Sequence, residues 1–155
     1  MPRNFLVQNG TGTPSPTSLW DVIQSSDVTV SAGGKITWVL AAGTPITQGN
    51  DKAAWAIMDQ ARTMSKVYAC AKTAPTGTPT LVFDILYSTD NGTTFNSLWP
   101  TNQNNRPSIA SGSKFSTTTS FDTTTIPAGA LVRIDVVSVG NTIAGQDVTV
   151  QLQYQ

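Results

Sequence analysis

Between turn-rich segments the chain repeats short stretches in which apolar and polar residues alternate, the period-two pattern of strands with one buried face. In residues 35–40, Ile36, Trp38 and Leu40 share a face. In 64–72, Val67, Ala69 and Ala71 lie opposite Lys66, Tyr68 and Cys70. The same alternation aligns Leu81, Phe83, Ile85 and Tyr87 in 81–87, and Val132, Ile134 and Val136 in 131–139. It aligns Val148, Val150, Leu152 and Tyr154 in 148–154. Residues 114–119 read as a polar strand suited to a sheet edge, and 19–23 and 28–30 as two further short strands. Residues 54–58 read as a strand, although the Ala, Met, Lys and Gln content of 51–64 also admits a helix.

Roughly seven to nine short strands separated by polar turns predict an all-β fold, an antiparallel two-sheet sandwich or jelly-roll. Asp90-Asn91-Gly92 supplies the residues that tolerate positive φ in a tight hairpin. Residues 1–18 join a short apolar piece, Phe5-Leu6-Val7, to the turn-rich run NGTGTPSPTS, whose prolines and glycines cannot sit inside a regular element. The expected organisation is therefore an extended N-terminal arm over 1–18 and a single sandwich domain over 19–155. The apolar hook Phe5, Leu6 and Val7 is a candidate interaction element, because an arm can add a strand to a neighbour's open edge.

Composition narrows the chemistry. Of 155 residues only 12% are charged, nine basic and nine acidic, for a net charge of zero. That is about half of ordinary globular usage, and Thr, Ser, Asn and Gln supply the polarity instead. All the acids are Asp, and there is no His. Without His there is neither a Ser-His-Asp or Cys-His nucleophile pair nor an imidazole zinc site. Without Glu the commonest glycosidase pairs and the EF-hand loop are excluded. No basic run supports nucleic-acid binding, which phosphate neutralisation drives. Cys70 stands alone and forms no internal disulfide. No apolar run reaches the ~20 residues of a membrane span, and the opening MPRNFLVQNG lacks a signal-peptide core. The expectation is a protein without chemistry of its own: no enzyme, no cofactor, no metal, no membrane and no nucleic acid.

Three groups of residues merit weighing as sites. Ser88-x-Asp90-x-Gly92-x-Thr94-Phe95 resembles the Asp-box of sialidases and related propellers, where Ser and Asp brace a hairpin turn and the aromatic packs beneath it. One copy in so short a chain predicts a hairpin. Asp84 and Asp135 each interrupt an apolar strand, and both should point away from the core as solvent-facing or hydrogen-bonded groups. Of the four tryptophans, Trp20, Trp38 and Trp55 read as core. Trp99, followed by Pro100 and a polar loop, is the one candidate platform for stacking a sugar, with packing beneath the loop as its competing reading.

Several motifs after residue 64 carry a family resemblance. Ser65-Lys66-Val67, Thr73-Ala74-Pro75-Thr76-Gly77 and Asn105-Arg106-Pro107-x-Ile109-Ala110-x-Gly112 are three of them. The others are Val132-x-Ile134-Asp135-Val136-x-x-Val139-Gly140 and Gly145-x-Asp147-Val148-Thr149-Val150. In order and spacing they resemble a β-sandwich domain that recurs in virion proteins of tailed phages and prophages. That family occurs in capsid-surface, tail-fibre and baseplate proteins and brings no catalytic residues. Residues 88–95 form a longer hairpin than its pattern has, and the first 50 residues show no match to it.

The resemblance implies a virion structural protein assembled in the host cytoplasm. The small size favours a capsid decoration or cement protein, a homotrimer that contacts the major capsid protein at the capsid surface. The alternative is a tail, baseplate or fibre component that binds host-surface glycan through Trp99.

Overall fold

The computed structural model describes residues 33–155. The arm at 1–18 with Phe5, Leu6 and Val7, the short strands at 19–23 and 28–30, and Trp20 lie outside the described residues. In chain order the strands are β1 (Gly34–Pro45), β2 (Ala56–Ile57), β3 (Arg62–Thr73), β4 (Leu81–Ser88) and β5 (Asn96–Ser97). A single 3-10 turn follows at Gln103–Asn105. Then come β6 (Ser108–Ile109), β7 (Phe115–Thr118), β8 (Thr125–Ile126), β9 (Leu131–Ser138) and β10 (Gln146–Tyr154).

These strands form an all-β fold of two antiparallel sheets packed as a sandwich. The first has the order β1-β10-β3-β7, with β8 adding to β3. The second has the order β2-β9-β4-β5, with β6 adding to β4. Every long strand was legible as an alternating stretch, and the face read as apolar is the buried one. Trp38 and Leu40 of β1, Val67, Ala69 and Ala71 of β3, and Val148, Val150 and Leu152 of β10 face the second sheet's Phe83, Ile85, Val132, Ile134 and Val136. Each such large aliphatic or aromatic side chain contributes about 1.5–3 kcal/mol on burial. Tyr87 and Tyr154 sit at the margins, partly buried against this core.

The 51–64 stretch holds no helix. Gly49 bridges Val136, and the Lys52 N–H donates to the Ile134 carbonyl at 3.0 Å, so the segment follows β9 as an irregular edge before β2 pairs Ala56 with Val132. Asp51 takes φ of 55° in that irregularity. Trp55 corrects the sequence reading: it is 43% exposed and lies outside the core. A paired strand of two residues is too short to impose a face on its neighbour, and the indole instead covers Gly92 of the β4–β5 hairpin, where a Cβ would come within 2.9 Å of the ring.

The two sheets differ on their outer faces. On the first, register aligns Thr37, Gln151, Tyr68 and Thr117 in one cross-strand row and Val39, Thr149, Cys70 and Phe115 in the next. Lys35, Gln153 and Lys66 form a third row. On the second sheet the chain's own segments cover the middle of the outer face, where the candidate carboxylates lie, while Ile57 on the edge strand β2 stays exposed.

Candidate functional site

Asp84 and Asp135 are directly opposite each other on β4 and β9. Both point away from the core, as the alternation requires, and both are nevertheless buried, at 5% and 7% exposure. Two loops close over them. Ser97 and Arg106 come from the 96–107 segment: the Ser97 hydroxyl donates to Asp84 Oδ1 at 2.7 Å, and Arg106 Nη2 lies 2.8 Å from Asp84 Oδ2. From the β9 edge segment, the Asp51 N–H donates to Asp135 Oδ1 at 2.7 Å. Arg133, two residues before Asp135 on the same strand face, donates to its Oδ2 at 3.1 Å. The result is a paired-carboxylate, paired-guanidinium cluster clamping both loops to the sheet.

Burial pushes the Asp84 carboxyl above its ordinary value, and the neighbouring Asp135 charge adds to the rise. The Ser97 hydrogen bond and the Arg106 charge oppose it. A buried carboxylate of raised pKa is the kind of group that performs acid–base chemistry in enzymes. Here every oxygen named above is taken by a protein donor, and neither acid opens onto solvent where a substrate would lie. The arrangement suits a structural clamp. Arg106 Nε and Arg133 Nε are buried without an acceptor among the described residues, so the cluster is not fully satisfied.

The Asp-box segment does what its spacing predicts. The Ser88 hydroxyl donates to Asp90 Oδ1 at 2.7 Å, and the Gly92 N–H donates to Ser88 Oγ at 2.9 Å. The Thr94 N–H closes the turn on Asp90 Oδ1 at 2.9 Å, with Asn91 and Gly92 at φ of 58° and 83°. The Thr94 hydroxyl and N–H, with the Ser88 hydroxyl, hold the Asp90 carboxyl down to about 2. Phe95 packs beneath, edge-on to Trp55 at 5.1 Å, with the Arg133 guanidinium 4.2 Å above its ring. The hairpin, the β9 edge and the buried cluster thus share Arg133.

Trp99 corrects the platform reading. It is fully buried, stacks on Phe121 at 5.4 Å and donates its indole N–H to the Ser120 carbonyl at 2.6 Å. Asp122 accepts from the Thr101 and Asn102 N–H groups at 2.8 and 2.6 Å, tying the loop after Trp99 down over it. A buried indole presents no face to a sugar. Among the described residues the exposed indole is Trp55, whose N–H is anchored on Asp51 Oδ1.

Residues of several resemblance motifs fall at two places in the fold. Arg106 reaches the buried cluster containing Asp135. At one end of the sandwich the Thr76 N–H donates to the Ile143 carbonyl at 2.8 Å, and the Gly112 N–H to the Pro75 carbonyl at 2.8 Å. Gly140 sits where a Cβ would come within 2.3 Å of the Ile143 carbonyl oxygen and 2.6 Å of that of Thr76. The spacing records close backbone approach. Among the described residues no group of three or more His, Cys, Asp or Glu side chains is placed to hold a metal ion, and no helix is long and apolar enough to cross a membrane. No family model, curated protein or solved structure matches the chain.

Proposed function

We propose that this chain is a structural protein of a tailed-phage virion. It is a decoration or cement protein that binds the capsid shell as a homotrimer and reinforces contacts between major capsid proteins, without catalysis. The observation that carries this reading is where several resemblance residues go: Arg106 and Asp135 into a clamp, and Thr76, Gly112 and Gly140 into a closed loop junction, with no open polar constellation for chemistry among the described residues. A nearly uncharged Thr, Ser, Asn and Gln surface supports it, since crowded copies repel little and can pack through hydrogen bonds. Within this reading the arm with Phe5, Leu6 and Val7 ties one subunit to a neighbour. Deleting residues 1–18 is expected to abolish binding to shells of the major capsid protein while the sandwich stays folded. Full binding by that truncation would remove the arm from the account.

A second reading, a tail, baseplate or fibre component that binds host glycan, draws on Trp55 in place of Trp99. Its indole is exposed and its orientation is fixed by Asp51 and Phe95. It expects Trp55→Ala to lose binding on a glycan array, and an array without hits for the parent chain would dismiss it.

A further inference from the structure

The two outer faces of the sandwich are not equivalent. Loops cover the middle of the second sheet's outer face and consume its charges in the Asp84 cluster, leaving Ile57 exposed on its edge strand. The outer face of the first sheet is bare among the described residues. Phe115 and Val39 stand 57% and 65% exposed on it. Its side chains lie down across the strands: Gln151 donates to Thr37 at 3.3 Å, Gln153 donates to Gln151 at 3.2 Å, and the Lys66 ammonium rests 5.3 Å from the Tyr68 ring centroid. Charge on this face is one-sided. Among the described residues, Lys35 and Lys66 flank Gln153 in a single row, Lys72 is 82% exposed, and the only opposing acid is Asp147 at the rim, 3.9 Å from Lys72.

Resting on the proposed function, we infer that the outer face of the β1-β10-β3-β7 sheet is the docking surface, and that it takes a flat, acidic protein surface on the shell. Its middle is uncharged and partly apolar, as the centre of a protein interface is, while lysines at its margins set orientation and approach. Nucleic acid fits less well, because three separated lysines neutralise few phosphates. Four strands and three to four rows span about 15 by 20 Å, well below the ~800 Å² per partner of a stable two-body interface. A single copy therefore holds weakly, and stable occupancy requires several linked copies or a second tether such as the arm.

Cys70 provides the test without any substitution. It is the only cysteine of the chain, it is exposed, and it lies in the row between Thr149 and Phe115. Maleimide labelling of Cys70 is compared between intact virions and the released full-length chain. Docking through this face predicts labelling at least about tenfold slower in virions, because the centre of an interface excludes solvent. Equal rates in virions that contain the chain would overturn the inference and leave the virion assignment standing. Absence of the chain from virions would overturn both.

A second arm tests the partner's charge. Full-length Lys35→Glu/Lys66→Glu, with its fold checked by circular dichroism, is expected to bind shells about tenfold more weakly at low salt, the gap closing as salt screens it. Protection of Cys70 with no effect of this charge reversal would mean a second copy covers the face, overturning the acidic partner. Binding to duplex DNA in place of shells would also overturn it.

Discussion

Replacing Arg106 by Ala tests whether the buried cluster is a clamp. The guanidinium lies 2.8 Å from Asp84, with side-chain exposures of 15% and 7%. Its removal leaves Asp84 buried opposite Asp135 with Ser97 as its remaining hydrogen-bond donor. Breaking a buried pair from one side costs about 3–5 kcal/mol. Arg106 keeps some solvent contact and its Nε is already unsatisfied, which points to the lower end, about 3 kcal/mol. With a urea m-value of about 2 kcal/mol per molar, the midpoint should fall by about 1.5 M.

The pH dependence supplies a sign. Loss of the Arg106 charge raises the folded-state pKa of Asp84 further above its unfolded value of 3.8. A group raised in the folded state costs stability once both states are ionised. The deficit of the variant is therefore largest near neutral pH and shrinks as pH falls through the raised pKa towards 3.8. Urea titrations of parent and variant at pH 7 and pH 4 check both statements. A deficit under about 1 kcal/mol at pH 7, the range of an exposed pair, would refute the clamp. So would a deficit that grows on acidification.

Other expectations concern single sites. Trp99→Ala should destabilise by about 3–5 kcal/mol in the same assay, because it empties a fully buried indole site. Trp55→Ala should cost far less. Gly140→Ala should destabilise strongly or prevent folding, since its Cβ would meet two backbone carbonyl oxygens that cannot turn aside; a near-parental melting temperature would contradict that close approach. The Asp90 carboxyl should titrate at about 2 by NMR. A carboxyl lowered in the folded state stabilises the fold above its unfolded pKa, and that contribution fades as pH falls through about 2. A normal carboxylate value at Asp90 would argue against the hydrogen-bonded turn.

Where one strand face packs on the opposite sheet, the local sequence carried the answer. The inward faces of β3, β4, β9 and β10 are legible in the sequence, because burial of one side leaves a period-two record. The Asp-box hairpin was legible for a similar reason, its bonds running between residues two to four apart. Burial of Asp84 and Asp135 was not legible. Of their covering donors, Asp51 and Arg106 come from irregular segments and Ser97 from the two-residue strand β5, none of which leaves a periodic signature. Trp99 shows the same limit, since its partners Ser120 and Phe121 lie some twenty residues further along. Trp55 departs from the alternation because the paired strand beside it is only two residues long and cannot sustain a face.

Copy number in purified virions tests the central claim most directly, by quantitative mass spectrometry of this chain against the major capsid protein. A shell-bound decoration protein predicts a stoichiometric ratio, about one or about one-third per capsid protein, because closed trimers occupy threefold and quasi-threefold lattice positions. A ratio of a few per cent would move the chain to the tail or baseplate. Absence from the virion would contradict the account outright.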